Sequence, residues 1–120
     1  MIDFSILTPE FIEQLNLQMD ESTLHWTDYD KLNSALSSYI YYENDLDKLC
    51  SIFRGILMNH AFSNANKRTA SMLVVNTLEM CGYSVDDSFM IKLCFDTIEN
   101  HYEVSEIAER LKRHLGVETL

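Results

Sequence analysis

Two kinds of side chain that could act on phosphate flank one short loop of this 120-residue chain. His60 comes just before the loop, and the pair Lys67-Arg68 comes just after it. An imidazole can take up a proton near neutral pH, and a guanidinium can bind two phosphate oxygens at once. A proton acceptor within a loop's width of an anion site is the arrangement that phosphoryl or nucleotidyl transfer requires.

The loop itself is built for close approach of a ligand. Asn64 and Asn66 tolerate unusual backbone angles, and Ala65 between them adds no bulk. The loop leads directly into a predicted helix, whose free N–H groups and positive dipole end favour an anion. Two cations in that first turn oppose the usual helix electrostatics, which strengthens the prediction of an anion site. Phe62 is predicted to anchor the loop to the core.

Charge is distributed unevenly along the chain. The formal net charge is −10, so most of the surface would repel nucleic acid. From Lys48 to Leu78, however, there is no Asp or Glu. Taken singly, a histidine at a helix end is more often a cap or a packed residue, and a Lys-Arg pair is usually solvated. Their combination inside this basic stretch favours binding of an anion.

The elements that must position these residues are helices. Only three glycines and one proline are present, and apolar residues recur at helical spacing along most of the chain. We predict one all-α domain over residues 1–120, a bundle of about six helices. The helices are expected to begin near Thr8-Pro9, at Thr27 or Asp28, at Asp45 or Asp47, at Lys67, at Asp87 or Ser88, and near Ser105. The third should end at Asn59 or His60, the fourth at about Cys81 and the last at Gly116.

An aromatic segment precedes the central helices. Tyr39, Ile40, Tyr41 and Tyr42 follow one another in a stretch with few helix formers. One interpretation is an extended flap or a short hairpin. The other is the end of a helix whose tyrosines pack on the core.

The chain carries no pattern of an exported or membrane protein. No apolar run approaches the roughly 20 residues that span a bilayer, and the N terminus lacks a secretory pattern. The three cysteines, Cys50, Cys81 and Cys94, are expected to be reduced core thiols, without zinc-binding spacing. We therefore expect a cytoplasmic protein that binds neither membrane nor nucleic acid.

The segment His60-Ala61-Phe62-Ser63-Asn64-Ala65-Asn66-Lys67-Arg68 resembles the signature of the Fic/Doc family, His-x-Phe-x-acid-Gly/Ala-Asn-Gly/Lys-Arg. Its Ala-Asn-Lys-Arg-Thr-Ala ending is most similar to the Doc branch, the death-on-curing toxins of toxin–antitoxin pairs. Chain length and helix order agree with that branch.

The resemblance implies a role for each matching position. His60 would be the general base on a target hydroxyl, Phe62 the anchor of the loop, and Asn66 and Arg68 ligands of nucleotide phosphates together with Asn64, Ala65 and Lys67. In Doc-like relatives a lysine at the position of Lys67 accompanies transfer of the γ-phosphate of ATP to a Ser or Thr of a translation factor, elongation factor Tu. The segment Tyr39–Tyr42 would correspond to the flap that docks the target.

One position departs from the signature. The family's acidic residue, a Mg²⁺ ligand, is replaced by Asn64. A neutral amide is a poorer ligand for a hard cation, so Mg²⁺ would depend mainly on phosphates and water. Reduced activity is the other interpretation.

Regulation is expected to come from outside the domain. The inhibitory motif of Fic proteins, Ser/Thr-x-x-x-Glu-Gly/Asn, is matched only in part by Ser105–Arg110. A separate antitoxin, whose helix lies in a groove of the domain, is therefore the expected partner. AMP transfer, or a catalytically weakened interaction module, remain alternatives. A helix-turn-helix DNA-binding protein is disfavoured by the charge.

Overall fold

The computed structural model describes residues 2–21 and 25–118. Across these ranges the chain forms six α-helices and two short 3₁₀ helices but no strand. The α-helices are α1 (Pro9–Met19), α2 (Tyr29–Ser37), α3 (Asp45–Asn59), α4 (Asn66–Met80), α5 (Asp87–Asn100) and α6 (Val104–Leu115). The 3₁₀ helices are Phe4–Ile6 and Ser38–Tyr41. The predicted all-α bundle is confirmed.

Helix α3 lies at the centre of the bundle and packs against α2, α4 and α6. Its large side chains Leu49, Phe53 and Ile56 have no exposed surface, as expected for a helix that is apolar on several sides. The helix approaches α2 closely at Gly55, where an added Cβ would lie only 2.7 Å from the Cβ of Ala35. This core holds the C-terminal end of α3, and with it His60, in a defined position.

Polar side chains cap the N termini of two helices at the positions where the sequence predicts these helices to begin. Thr8 accepts from the N–H of Phe11 at α1, and Asp28 accepts from the N–H of Lys31 at α2. At the other end of the chain, Gly116 ends α6 in the left-handed conformation. Helices α4, α5 and α6 differ from the predicted boundaries by about one residue, within the fraying expected at helix ends.

The aromatic segment at residues 39–42 is not an extended flap. Residues Ser38–Tyr41 form a 3₁₀ helix that continues directly from α2, so the alternative interpretation, a helix end, is the one observed. Two contacts fix this shape: the hydroxyl of Ser38 donates to the carbonyl of Ala35, and the ring of Tyr39 stacks on Phe4 at 5.2 Å. The N–H of Tyr42 donates to the carbonyl of Tyr39 at 3.1 Å and closes the 3₁₀ turn.

The cysteines are free thiols, and Cys50 and Cys94 are buried in the core. Burial raises the pKa of both thiols, and the hydroxyl of Ser71 partly offsets this for Cys94. Within the described ranges, no helix is long and apolar enough to cross a bilayer.

Candidate functional site

The loop between α3 and α4 begins and ends with residues in the left-handed conformation. His60 has φ 54° and ψ 53°, and Ala65 has φ 61° and ψ 28°. Such angles cost roughly 1–3 kcal/mol in a residue other than glycine, and they persist only where the surroundings enforce them. The contacts around the loop must therefore be extensive.

The first of these contacts lies inside the loop. The side-chain oxygen of Asn66 accepts from the N–H of Phe62 at 3.2 Å, and its Nδ2 donates to the carbonyl of Phe62 at 2.9 Å. Phe62 is buried, with 1% of its surface exposed. Both polar atoms of the Asn66 side chain thus bond to the backbone of Phe62 and hold the loop.

A second contact comes from the segment His25–Asp28, which the sequence pattern did not indicate. The N–H of Asp28 donates to the carbonyl of Ala61 at 2.7 Å, and the N–H of Ser63 donates to the carbonyl of Trp26 at 3.1 Å. Thr27 and Phe62 form an isolated antiparallel bridge. The chain in front of α2 therefore runs alongside the loop.

A third contact comes from α1. Asn16 is fully buried, and its Nδ2 donates to the carbonyl of Asn64 at 2.9 Å and to the hydroxyl of Thr69 at 3.0 Å. Its Oδ1 lies 2.7 Å from Nε2 of His25. One feature of the sequence could have indicated this contact. Asn16 lies on the apolar face of α1, four residues after the buried Ile12, and a polar side chain at a core position needs hydrogen-bond partners.

The loop opens onto a cleft of about 680 Å³ between α4 and α5. One side carries the polar residues of the signature segment. The other side is largely apolar, with Asp87 and Ser71 as its polar members. The lining residues on the polar side include His60, Asn64, Ala65, Asn66, Lys67 and Arg68, and those on the apolar side include Met72, Val75, Met90, Ile91, Phe95 and Ile98. The structure thus brings the predicted proton acceptor and the predicted anion ligands to one cavity.

The start of α4 favours a negatively charged ligand. Its first turn contains Lys67 and Arg68 and no acid, and no side chain caps its N terminus at Ala65 within the described part of the chain. Nζ of Lys67 lies 5.5 Å from the centre of the Phe95 ring. NH1 of Arg68 lies 4.0 Å from Oε1 of Glu21, with both side chains largely exposed, and such pairs contribute little. Arg68 can therefore exchange this partner for a phosphate.

His60 is exposed, and its position at the C-terminal end of α3 directs it to the same cleft. The ring does not lie in the core, which is the condition a proton acceptor for an external hydroxyl must meet.

The aromatic residues predicted to dock a target lie elsewhere. Over the described residues, the cleft lining includes none of Tyr39, Ile40, Tyr41 and Tyr42. The hydroxyl of the neighbouring Ser38 contacts Ser51, which lies nine residues before His60 on α3. At 1.5 Å per residue this is about 13 Å along the helix. The segment that lies beside the loop is His25–Asp28, and the docking of a target by residues 39–42 stays a prediction.

The residues at the site do not form a metal cage. In the described ranges no group of three or more His, Cys, Asp or Glu side chains could hold a metal ion. Asn64 supplies a neutral amide oxygen at the loop, which is a weak ligand for Mg²⁺.

Comparison with known proteins identifies the family. The family model described as Fic/DOC family matches residues 7–78, more than half of the chain. This range includes α1, the segment beside the loop, α3, the loop and most of α4. Neither the curated proteins nor the solved structures contain a significant match. The chain belongs to the Fic/DOC family.

Proposed function

We propose that this protein transfers the γ-phosphoryl group of ATP to a Ser or Thr hydroxyl of a translation factor, elongation factor Tu in the first instance, and so inhibits protein synthesis. Fic/DOC proteins include enzymes and toxins, and transferase activity is typical of them. The observation that carries the proposal is the shared cleft: exposed His60 and the uncapped, cationic start of α4 line one cavity.

The polyphosphate would bind at the N terminus of α4. Free backbone N–H groups of the first turn and the positive end of the dipole attract phosphate oxygens. Arg68 would leave Glu21 and bind two oxygens of one phosphate, and Lys67 would supply a second positive charge. Because the side chain of Asn66 holds Phe62, Asn66 would contribute its backbone N–H to the phosphates.

The transfer step uses the imidazole of His60. The target hydroxyl approaches over the loop, and His60 takes its proton as the oxygen attacks the γ-phosphorus. The bond from that phosphorus to the oxygen shared with the β-phosphate breaks, and ADP leaves with the electron pair. His60 then releases the proton to water. The target would reach this point past the segment His25–Asp28, because that segment borders the loop.

Mg²⁺ is expected with ATP, and this chain would add little to its coordination. The amide oxygen of Asn64 is the protein donor at the signature position, so phosphate oxygens and water would hold most of the ion.

The apolar side of the cleft supports the expectation of an antitoxin. Ile91 and Phe95 are more than half exposed although they are large and apolar, and exposed apolar patches mark interaction sites. An amphipathic helix of an antitoxin could cover these side chains and block the phosphate site beside them. The translation apparatus as target would place the protein in the cytoplasm.

Asn64 favours a second candidate function, a catalytically weakened module that keeps the fold and the antitoxin groove. The replacement removes the acid that the family uses for Mg²⁺. Such a module would still bind its partner, but it would not turn over ATP at a useful rate.

Radiolabel transfer distinguishes these functions. Purified protein is incubated with elongation factor Tu and Mg²⁺ and with either γ-labelled or α-labelled ATP; His60→Asn serves as the control. Label from γ-labelled ATP alone, absent in the variant, is the expected result. Label from α-labelled ATP would show AMP transfer instead. Transfer from neither, across a panel of translation factors, would overturn both enzymatic assignments and leave the interaction module.

A further inference from the structure

We propose that Asn16 and His25 are positioning residues for the phosphate site: together they hold the Asn64–Ala65 peptide so that the N–H of Ala65 faces away from the core, where it can donate to a phosphate. The inference rests on the proposed function. It assigns to two residues outside the signature segment a role in nucleotide binding.

Every polar group of the Asn16 side chain forms a hydrogen bond. Its two amide hydrogens are donated to the carbonyl of Asn64 and to the hydroxyl of Thr69. Its oxygen can only accept, so Nε2 of His25, at 2.7 Å, must carry the hydrogen of that bond. Asn16 therefore connects α1, the loop, α4 and the segment beside the loop from a fully buried position.

The bond to Asn64 determines which way the next N–H points. In a trans peptide, C=O and N–H lie in one plane and point in opposite directions. The carbonyl of Asn64 points inward to buried Asn16, so the N–H of Ala65 points away from it. Ala65 lines the cleft at the start of α4.

The backbone of Ala65 would not keep this orientation unless another contact stabilised it. Ala65 has φ 61°, which is unfavourable for alanine. Rotating the Asn64–Ala65 peptide by half a turn would bring φ of Ala65 back to a negative value, but it would also turn the carbonyl away from Asn16 and the N–H away from the phosphate position. The hydrogen bond from Asn16 opposes that rotation.

His25 sets the orientation of the Asn16 amide. Without a donor at Oδ1, the amide group could turn over and present its oxygen to the Asn64 carbonyl, which would repel it. The N–H of His25 favours the orientation that places Nδ2 against the loop. His25 itself is only partly buried, and its ring lies 6.3 Å from the ring of Phe62, a contact that His25→Phe keeps.

Three variants test the proposal in the full-length protein. Asn16→Asp keeps the shape of the side chain but places a carboxylate oxygen against the Asn64 carbonyl. His25→Phe removes the donor, whereas His25→Gln keeps an N–H that can reach the same oxygen. Asn33→Asp, at an exposed position on α2, makes the same chemical change away from the loop.

The measurements are the Kd of Mg·ATP by calorimetry, the KM for ATP against kcat, and the ¹H–¹⁵N signal of the Ala65 amide during ATP titration. We expect Kd and KM to rise about tenfold or more in Asn16→Asp and His25→Phe, as for loss of one hydrogen bond to a charged group. Changes in kcat at saturating ATP should be smaller. His25→Gln and Asn33→Asp should stay close to wild type. ATP should shift the Ala65 amide in wild type and in these two variants, but not in Asn16→Asp or His25→Phe.

A purely structural role would lower the melting temperature of Asn16→Asp and His25→Phe without changing their ATP affinity, and that result would overturn the proposal. Should Asn16→Asp not fold, the His25 pair decides alone: equal ATP affinity of His25→Phe and His25→Gln overturns it. Wild type that fails to bind ATP would instead overturn the proposed function itself, so the two failures are distinguishable.

Discussion

The amide of Asn66 forms a hydrogen bond in each direction with the backbone of Phe62, at 3.2 Å and 2.9 Å. This pair closes the loop between α3 and α4 while Phe62 lies in the core. The loop is therefore held in this shape by contacts within the protein itself. A phosphate that binds there as proposed would not have to order the loop first.

Replacing Asn66 should destabilise the protein and open the loop. Asn66→Ala leaves the N–H and carbonyl of Phe62 without their partner, which should lower the free energy of unfolding by about 1–3 kcal/mol. Urea denaturation measures this change. Asn33→Ala, at an exposed helical position, is the matched control and should change stability by less than about 0.5 kcal/mol. Equal stability of the two variants would contradict the bracing role.

Replacing His60 should remove activity and spare the fold. His60→Asn keeps a residue that tolerates the left-handed conformation but removes the proton acceptor, so transfer should fall by about 100-fold or more. Label transfer and thermal melting are measured together. His101→Asn is the control, because His101 is also exposed and ends α5 at φ 53°. A His60→Asn variant as active as His101→Asn would exclude His60 as the base.

Adding one methyl group at Gly55 should loosen the contact between α2 and α3. The new Cβ of Gly55→Ala would lie 2.7 Å from Cβ and 2.8 Å from Cα of Ala35, so the helices must separate. We expect a loss of about 1–3 kcal/mol from overpacking, although alanine is the better helix former by about 1 kcal/mol. The double variant with Ala35→Gly should recover part of this loss in urea denaturation. If Gly55→Ala left the free energy of unfolding unchanged or raised it, the two helices would be shown to separate at little energetic cost.

The contact between α1 and the segment beside the loop should be sensitive to acid. Hydrogen bonds from Thr27 first and Tyr29 second hold the pKa of Glu13 below its ordinary value. A lowered pKa in the folded state contributes stability that is complete above the ordinary pKa, about 4.3, and is lost as the pH falls through the lowered value. The stability of wild type should therefore fall more steeply below about pH 4.5 than that of Glu13→Gln. Parallel curves from chemical denaturation at several pH values would contradict this.

Local pattern was sufficient for most of the helices. Thr8 and Asp28 cap α1 and α2 as predicted, because capping involves residues only three positions apart. The segment Tyr39–Tyr42 was ambiguous for the same reason. Its sequence permits an extended chain or a helix end, and its packing against Phe4 selects the helix end.

The site was predictable to the extent that it is contiguous in sequence. His60, Lys67 and Arg68 line one cleft because a single loop connects the two helices that carry them. The role of the Asn66 side chain was not predictable, since the same amide could hold either a phosphate or the loop. The structure shows it bonded to the backbone of Phe62.

By itself, the sequence determined an all-helical chain and placed a histidine and two cations at the ends of one loop, because helix propensity, capping and short loops depend on near neighbours. Only the tertiary structure decided that Asn16, 48 residues before Asn64 in the chain, holds the loop from α1, and that residues 25–28 rather than 39–42 border it. Such contacts form only when the packing of the helices brings distant segments together, and no spacing along the chain encodes them directly.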